Sequence, residues 1–233
     1  MSTESELSDL LAKTKPTIIP QDFKGVCFSD LHMEVKDPAD DFCKNEVLFN
    51  LTYDRYVQQG YKPFFLGDVQ DLWKVEDPEE IRKMYPSSSA RIKPWPRIKG
   101  NHDVELPLSE AIVLQYEGSS KQILLVHGFQ GDFFNDDGYP LGKFFVRNIW
   151  RNLELTGFLH DPTTATMRNP KKHEAVKAKI KEWAFDNQQI VIFGHTHAPE
   201  GVPPYYFNCG SWVGDGGQCV EINGHEISVK SFT

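Results

Sequence analysis

Residues 190–197 read Ile-Val-Ile-Phe-Gly-His-Thr-His. Four consecutive apolar residues of high β-propensity make a short strand buried on both faces. Gly194 ends it, and His195 and His197 follow at positions i and i+2. In an extended segment such positions share a face, so both imidazoles can meet a metal centre. The same grammar recurs upstream. Gly25–Ser29 leads into Asp30-Leu31-His32, and Pro63–Leu66 leads into Gly67–Asp68. Trp95–Ile98 leads into Gly100-Asn101-His102-Asp103, and Ile123–Val126 leads into His127–Gly128. Polar groups beyond the C-terminal ends of buried strands mark the ligand-binding edge of an open α/β sheet. Tyr205–Phe232 alternates more and carries many glycines, the pattern of antiparallel strands and turns. The expected architecture is a layered α/β fold with a mixed sheet or two packed sheets.

Other stretches fill in around this frame. Ala39–Gln59 has helical spacing of apolar residues, with Gly60 as a stop. Residues 1–21 are polar, contain Pro16 and Pro20, and read as a loose N-terminal arm before a domain spanning 22–233. Residues 129–189 read as a mostly helical insertion over the strand edge, with helical patterns at Leu141–Leu155 and Lys171–Phe185. In the first of these, Lys143, Arg147 and Arg151 recur four residues apart and form one stripe. Either the stripe is the solvated face of an amphipathic helix, or the helix is a lid whose basic residues meet substrate phosphate.

Composition narrows the class. A chain of 233 residues is one domain, or one with an insertion. A net charge of −8 disfavours a protein that coats nucleic acid or an anionic membrane. The apolar runs are far shorter than the ~18 residues that cross a bilayer. The acidic start MSTESELSDL lacks the pattern of a secretory signal. Cys27, Cys43, Cys209 and Cys219 form no Cys-x-x-Cys pair, so reduced thiols and a cytoplasmic location are expected.

Each motif alone has an ordinary reading as a strand end, a turn carboxylate or a core histidine. Together, Asp30, His32, Asp68, Asn101, His127, His195 and His197 follow five short strands in one repeated pattern. Histidine suits first-row divalent ions, and Asp and Asn add oxygen ligands. The set can serve at least two ions, with one carboxylate between them.

The motifs FSDLH, LGDVQD, KGNHD, VHG and FGHTH, in this order, resemble the calcineurin-like metallophosphoesterase superfamily over about residues 24–212. The resemblance implies a four-layer αββα sandwich, here with the helical cap insertion. It implies two divalent metal ions, manganese foremost, with iron, zinc or cobalt as alternatives. One would be held by Asp30, His32, Asp68 and His197, the other by Asp68, Asn101, His127 and His195. His102 would act beside the metals as a proton donor, with Asp103 orienting it. The implied activity is hydrolysis of a phosphoester or pyrophosphate bond by a metal-bridging hydroxide, on a small phosphorylated substrate that is nucleotide- or lipid-linked. Lys143, Arg147 and Arg151 would meet that substrate. The run DDGYPLGKFFVRNIWRNLE and the segment GDVQDLW are similar to the UDP-2,3-diacylglucosamine hydrolases. That subgroup has Arg where this chain has His102, and His-Gly-Asp where it has His127-Gly128-Phe129. A nucleotide or small-diester phosphodiesterase is the alternative enzyme. A non-catalytic scaffold of the same fold is the alternative from another class.

Overall fold

The computed structural model describes residues 2–129 and 170–233. The expected strands form, and they divide into two sheets. The five-stranded sheet contains β2 (Lys24–Phe28), β3 (Lys62–Leu66), β4 (Arg97–Ile98), β10 (Gly217–Asn223) and β11 (Glu226–Phe232) in the order β11-β10-β2-β3-β4. The six-stranded sheet contains β1 (Thr17–Ile19), β5 (Ala111–Tyr116), β6 (Gln122–Val126), β7 (Ile190–Phe193), β8 (Glu200–Val202) and β9 (Tyr206–Asn208) in the order β1-β5-β6-β7-β9-β8. Strands β2, β3 and β4 run parallel, as do β6, β7 and β9. The end of the chain adds the expected antiparallel pairs β10–β11 and β8–β9.

Three buried clusters account for the layers. Between the sheets, Cys27, Phe64, Leu66 and Val220 meet Leu114, Ile123, Leu125 and Ile192. On the outer face of the five-stranded sheet, Val26, Phe28 and Phe65 meet Phe49 and Tyr53 of α2 (Glu46–Gln58), Ile81 of α3 (Pro78–Met84) and Ile92 of α4 (Pro86–Ile92). Successive residues of β2 and β3 thus serve opposite clusters, which is why each strand is apolar throughout. The Phe28 ring stacks on Phe65 at 5.7 Å and meets Phe49 and Trp212 edge-on at 5.5 and 5.9 Å. On the outer face of the six-stranded sheet, Leu124, Val126, Val191 and Phe193 meet helix α5 (Pro170–Asp186) through Val176, Ile180, Trp183 and Ala184. The order helix, sheet, sheet, helix is the four-layer αββα sandwich.

Two expectations change. The N-terminal stretch read as a loose arm holds α1 (Thr3–Lys13) and the strand β1, which pairs in parallel with β5. Ser2 caps the helix by accepting from the Ser5 N–H at 3.3 Å. Leu7 is fully buried beside α5, and the Trp183 indole donates to Ser8 Oγ at 2.8 Å. A helix that buries so narrow a stripe has little periodicity to read. The second change concerns residues 129–189. Its C-terminal part is helical as expected, but from Val176 onward that helix is the fourth layer of the sandwich. Residues 130–169, with Lys143, Arg147 and Arg151, lie outside the described residues. Among the described residues no helix is long and apolar enough to cross a membrane.

Candidate metal centre

The site forms where the strands end. Beyond β2 and β3 the two chains keep pairing: the Asp30 N–H donates to Gly67 O at 3.2 Å, His32 to Asp68 O at 2.9 Å and Met33 to Val69 O at 3.1 Å. In the other sheet the Gly194 N–H donates to His127 O at 2.9 Å. Each sheet thus carries its ligand candidates on adjacent loops at one edge, and the two edges face each other.

The backbone there is contorted. Asp30, His32, Asp68, His195 and His197 have φ of 55, 49, 51, 66 and 53°, in the left-handed region that residues other than Gly, Asn and Asp rarely occupy. Such conformations cost about 1–3 kcal/mol each and cluster at functional sites. Glycine permits the approach of the loops: a Cβ on Gly100 would lie 2.1 Å from Asp68 Oδ1, and one on Gly194 would lie 2.0 Å from Ser29 Oγ.

The side chains converge. Asp30 Oδ1 lies 3.1 Å from His197 Nε2, 3.8 Å from His32 Nε2 and 4.0 Å from His127 Nε2. Asp68 Oδ2 lies 3.1 Å from His127 Nε2 and 3.7 Å from His32 Nε2. The Nε2 atoms of His32 and His197 are 3.2 Å apart, and His127 Nε2 is 3.2 Å from Asn101 Oδ1. The His195 ring sits 5.2 Å from that of His127. The outer atoms of the same groups are tied to the scaffold. Asp30 Oδ2 accepts the His195 N–H at 2.9 Å, Asp68 Oδ1 accepts the His102 N–H at 2.8 Å, and His127 Nδ1 faces Leu66 O at 2.6 Å. The scaffold consumes one end of each group and leaves the other for a ligand.

Burial works against the charge on Asp30, yet His127 and His197 outweigh it and hold the carboxyl well below the ordinary carboxylate range. Burial likewise opposes Asp68 and Asp71, which His127 and His102 respectively pull down. Burial disfavours the His127 imidazolium, but Asp68 and Asp30 push it up to about 9. His32 is raised against burial by Asp30 and Asp71. Buried carboxylates that draw protons onto the rings beside them are carboxylates in need of cations. The buried oxygen Asp30 Oδ1, at the hub of three imidazoles, accepts no hydrogen bond. Two triads within ligand reach, Asp30–His32–His197 and Asp30–Asp68–His127, share Asp30. Nitrogen and oxygen donors with oriented outer atoms fit divalent cations.

His102 stands beside this cluster. Its ring is edge-on to His32 at 4.6 Å and stacks on Trp73 at 4.3 Å, while the Trp73 indole donates to Asn101 O at 2.7 Å. The expectation for its partner is corrected. Asp71 Oδ1 lies 2.9 Å from His102 Nδ1. The Asp103 carboxylate instead accepts the N–H groups of Gly100, Val69 and Asp68 at 2.7, 3.1 and 3.3 Å. It braces the loops that carry Asp68 and Asn101. Sequence reasoning passed over Trp73 and the role of Asp71, although both lie in the quoted segment GDVQDLW. It also passed over His173, whose ring lies 6.2 Å from that of His195. The signal for His173 was weak, a single histidine in a lysine-rich helix.

No curated protein matches the chain. Among solved structures it is similar to a predicted phosphoesterase from Streptococcus pneumoniae, with 18% identity over 91% of this chain and 89% of that one and a TM-score of 0.43. It is also similar to a cold-active protein tyrosine phosphatase from Shewanella, with 12% identity over 97% and 84% and a TM-score of 0.44. A model of the calcineurin-like phosphoesterase family matches residues 24–199, from the first residue of β2 to just past His197. That span holds every side chain of the cluster, and the chain belongs to this family of metal-dependent phosphoester hydrolases.

Proposed function

We propose that the chain hydrolyses a small phosphoester or pyrophosphate with two divalent cations, one on Asp30, His32, Asp68 and His197 and one on Asp68, Asn101, His127 and His195. The observation that carries this reading is the position of Asp68 Oδ2, 3.1 Å from His127 Nε2 and 3.7 Å from His32 Nε2, between rings assigned to different ions. Bound cations supply charge to phosphoryl oxygens and acidify water. The chain's own residues do the rest. Asp71 accepts from His102 Nδ1 and so leaves Nε2, which carries a proton in the imidazolium, as the atom turned to substrate. Trp73 fixes the ring plane. A protonated His102 then gives its Nε2 proton to the leaving oxygen, a contribution of about 10²–10⁴-fold. Asp103 keeps the Asp68 loop in register. Lys143, Arg147 and Arg151 are assigned to substrate phosphate from the sequence alone, and the lipid- or nucleotide-linked pyrophosphate class rests on the same segment.

The test is metal analysis of purified protein together with an activity screen over phosphomonoesters, phosphodiesters and nucleotide pyrophosphates. Two ions per chain and turnover of a pyrophosphate or monoester support the reading. Turnover of diesters alone would select the nucleotide or small-diester phosphodiesterase. One ion per chain at full activity would reject the dinuclear assignment.

A further inference from the structure

Behind the Asp68 loop lies a cavity of about 480 Å³, between β4 and the helices α3 and α4. None of the seven candidate metal ligands lines it. Its volume suits a small organic molecule. Val69, Ile92, Trp95 and Leu108 give it apolar walls. Its polar lining is incompletely paired. Gln70 is 2% exposed, its amide nitrogen donates to Pro78 O at 3.1 Å, and its Oε1 has no partner. Because the nitrogen end is fixed on Pro78, the oxygen end of this lining residue is a buried acceptor without a partner. Arg97 Nε and Nη2 are buried donors without a hydrogen bond; Nη2 is 3.7 Å from Asp103 Oδ2, too far for one. Ser89 Oγ is a further buried group without a partner. Arg82 and Lys93 also line the cavity, and among the described residues its lining holds one carboxylate, Glu79, with that of Asp103 behind Arg97. Arg82 is engaged with Glu79 at 2.6 Å, so the unspent donors are those of Arg97. Burying such groups unpaired costs about 1–3 kcal/mol each, more for a charged group. They are therefore expected to meet a partner in the functioning protein.

We propose that this cavity is a second ligand site, for a small anion that carries an O–H or N–H donor beside its charged group. The anionic oxygen accepts from Arg97, the donor reaches Gln70 Oε1, and any apolar body lies against Trp95 and Ile92. A hydroxylated carboxylate and hydrogen phosphate share this chemistry. The site connects to the metal loops through the backbone, since Met33 and Gln70, one residue past His32 and two past Asp68, bridge each other. Arg97 also faces the carboxylate that braces Asp68.

The experiment is calorimetric titration of metal-loaded protein with two probes, mandelate and inorganic phosphate. Wild type is compared with Arg97→Met, Gln70→Leu and Ser89→Ala, with metal content measured in each. The expected result is saturable 1:1 binding of at least one probe, weakened roughly tenfold or more by Gln70→Leu at unchanged metal content, and by Arg97→Met when compared at equal metal content. The two probes separate a carboxylate ligand from a phosphate. Binding of equal affinity in wild type and the variants would put the probe on the metal cluster and overturn the proposal. So would the absence of saturable binding below about 10 mM, which would leave a water-filled void. If the two larger substitutions prevent folding, Ser89→Ala decides: it deletes one hydroxyl, and affinity within error of wild type overturns the proposal.

Discussion

Asp71 Oδ1 lies 2.9 Å from His102 Nδ1, while the carboxylate next to His102 in sequence, Asp103, is engaged with three backbone N–H groups. The division of labour predicts different phenotypes. His102→Ala should keep its metal and lose about 10²–10⁴-fold in kcat. Asp71→Asn should lose about 10–100-fold by releasing the ring's tautomer and orientation. Both losses should be larger for alkyl leaving groups than for p-nitrophenolate, which needs no proton. Equal losses on the two substrate types would remove the proton-donor role and leave His102 a phosphate-positioning group.

Asp68→Asn removes the charge nearest both halves of the cluster. Metal content after loading with excess manganese should fall below that of wild type at both sites, and activity should drop by at least about 100-fold. Elemental analysis and turnover of the same preparation check this. Full occupancy at wild-type activity would show that Asp68 bridges nothing.

Gly100→Ala places a methyl group 2.1 Å from Asp68 Oδ1 and 2.6 Å from Asp68 N. One neighbour is a carboxylate oxygen held by the His102 N–H and the other is backbone, so neither swings aside freely. We expect a loss of about 1–3 kcal/mol in unfolding free energy, with weaker metal binding because the displaced group is Asp68. Denaturant titration and metal analysis read the two effects, and a variant that matches wild type in both would contradict the close approach.

In metal-free protein the proton on His127 is held up to about pH 9, whereas an unfolded histidine releases it near about 6.5. That stabilisation is complete below about pH 6.5 and is lost as pH rises through 9. A cation that takes the same place must expel the proton. Metal loading at pH 7.5 should therefore release about one proton or more per chain, measurable by calorimetry in buffers of different ionisation enthalpy. Binding heats independent of buffer would show His127 already neutral.

Lys74 and Glu34 form an ion pair at 3.0 Å, both side chains fully buried. Burial raises the Glu34 pKa well above the ordinary carboxylate range against the pull of Lys74. Lys74→Met strands that carboxylate and should cost about 3–5 kcal/mol. Adding Glu34→Gln should recover much of the loss, because the charge to be solvated is gone. A double variant no more stable than the single one would show that Lys74 acts by packing.

The parts legible in the sequence were those with a repeated local signature. A short apolar run followed at once, or after a Gly or polar residue, by Asp, Asn or His recurs five times, and each time the structure ends a strand there and delivers the side chain to one edge. What escaped were relationships across the fold. Nothing local distinguishes Asp71 from Asp103 as the partner of His102, since the choice depends on how the loops after β3 and β4 nest. Trp73 has the same history: its indole reaches a carbonyl of another loop. The helix α1 was hidden because one fully buried leucine does most of its anchoring. The cavity around Gln70 and Arg97 was invisible because it is made by residues spread from Met33 to Leu108, and Val69 and Gln70, though inside the motif LGDVQD, are not its ligand positions.

The ligand candidates hang from different sheets: Asp30, His32 and Asp68 from the five-stranded one, His127, His195 and His197 from the six-stranded one. An ion that takes donors from both is therefore a cross-link between the two halves of the sandwich, and the links from Asp30, His32 and Asp68 to His195 or His197 close chain loops of more than a hundred residues. A covalent link over such a loop stabilises by about 4–5 kcal/mol through the unfolded ensemble. With metal bound, the candidate centre would in this sense also be a rivet, and a chelator would loosen the seam between the sheets before it loosened either sheet itself.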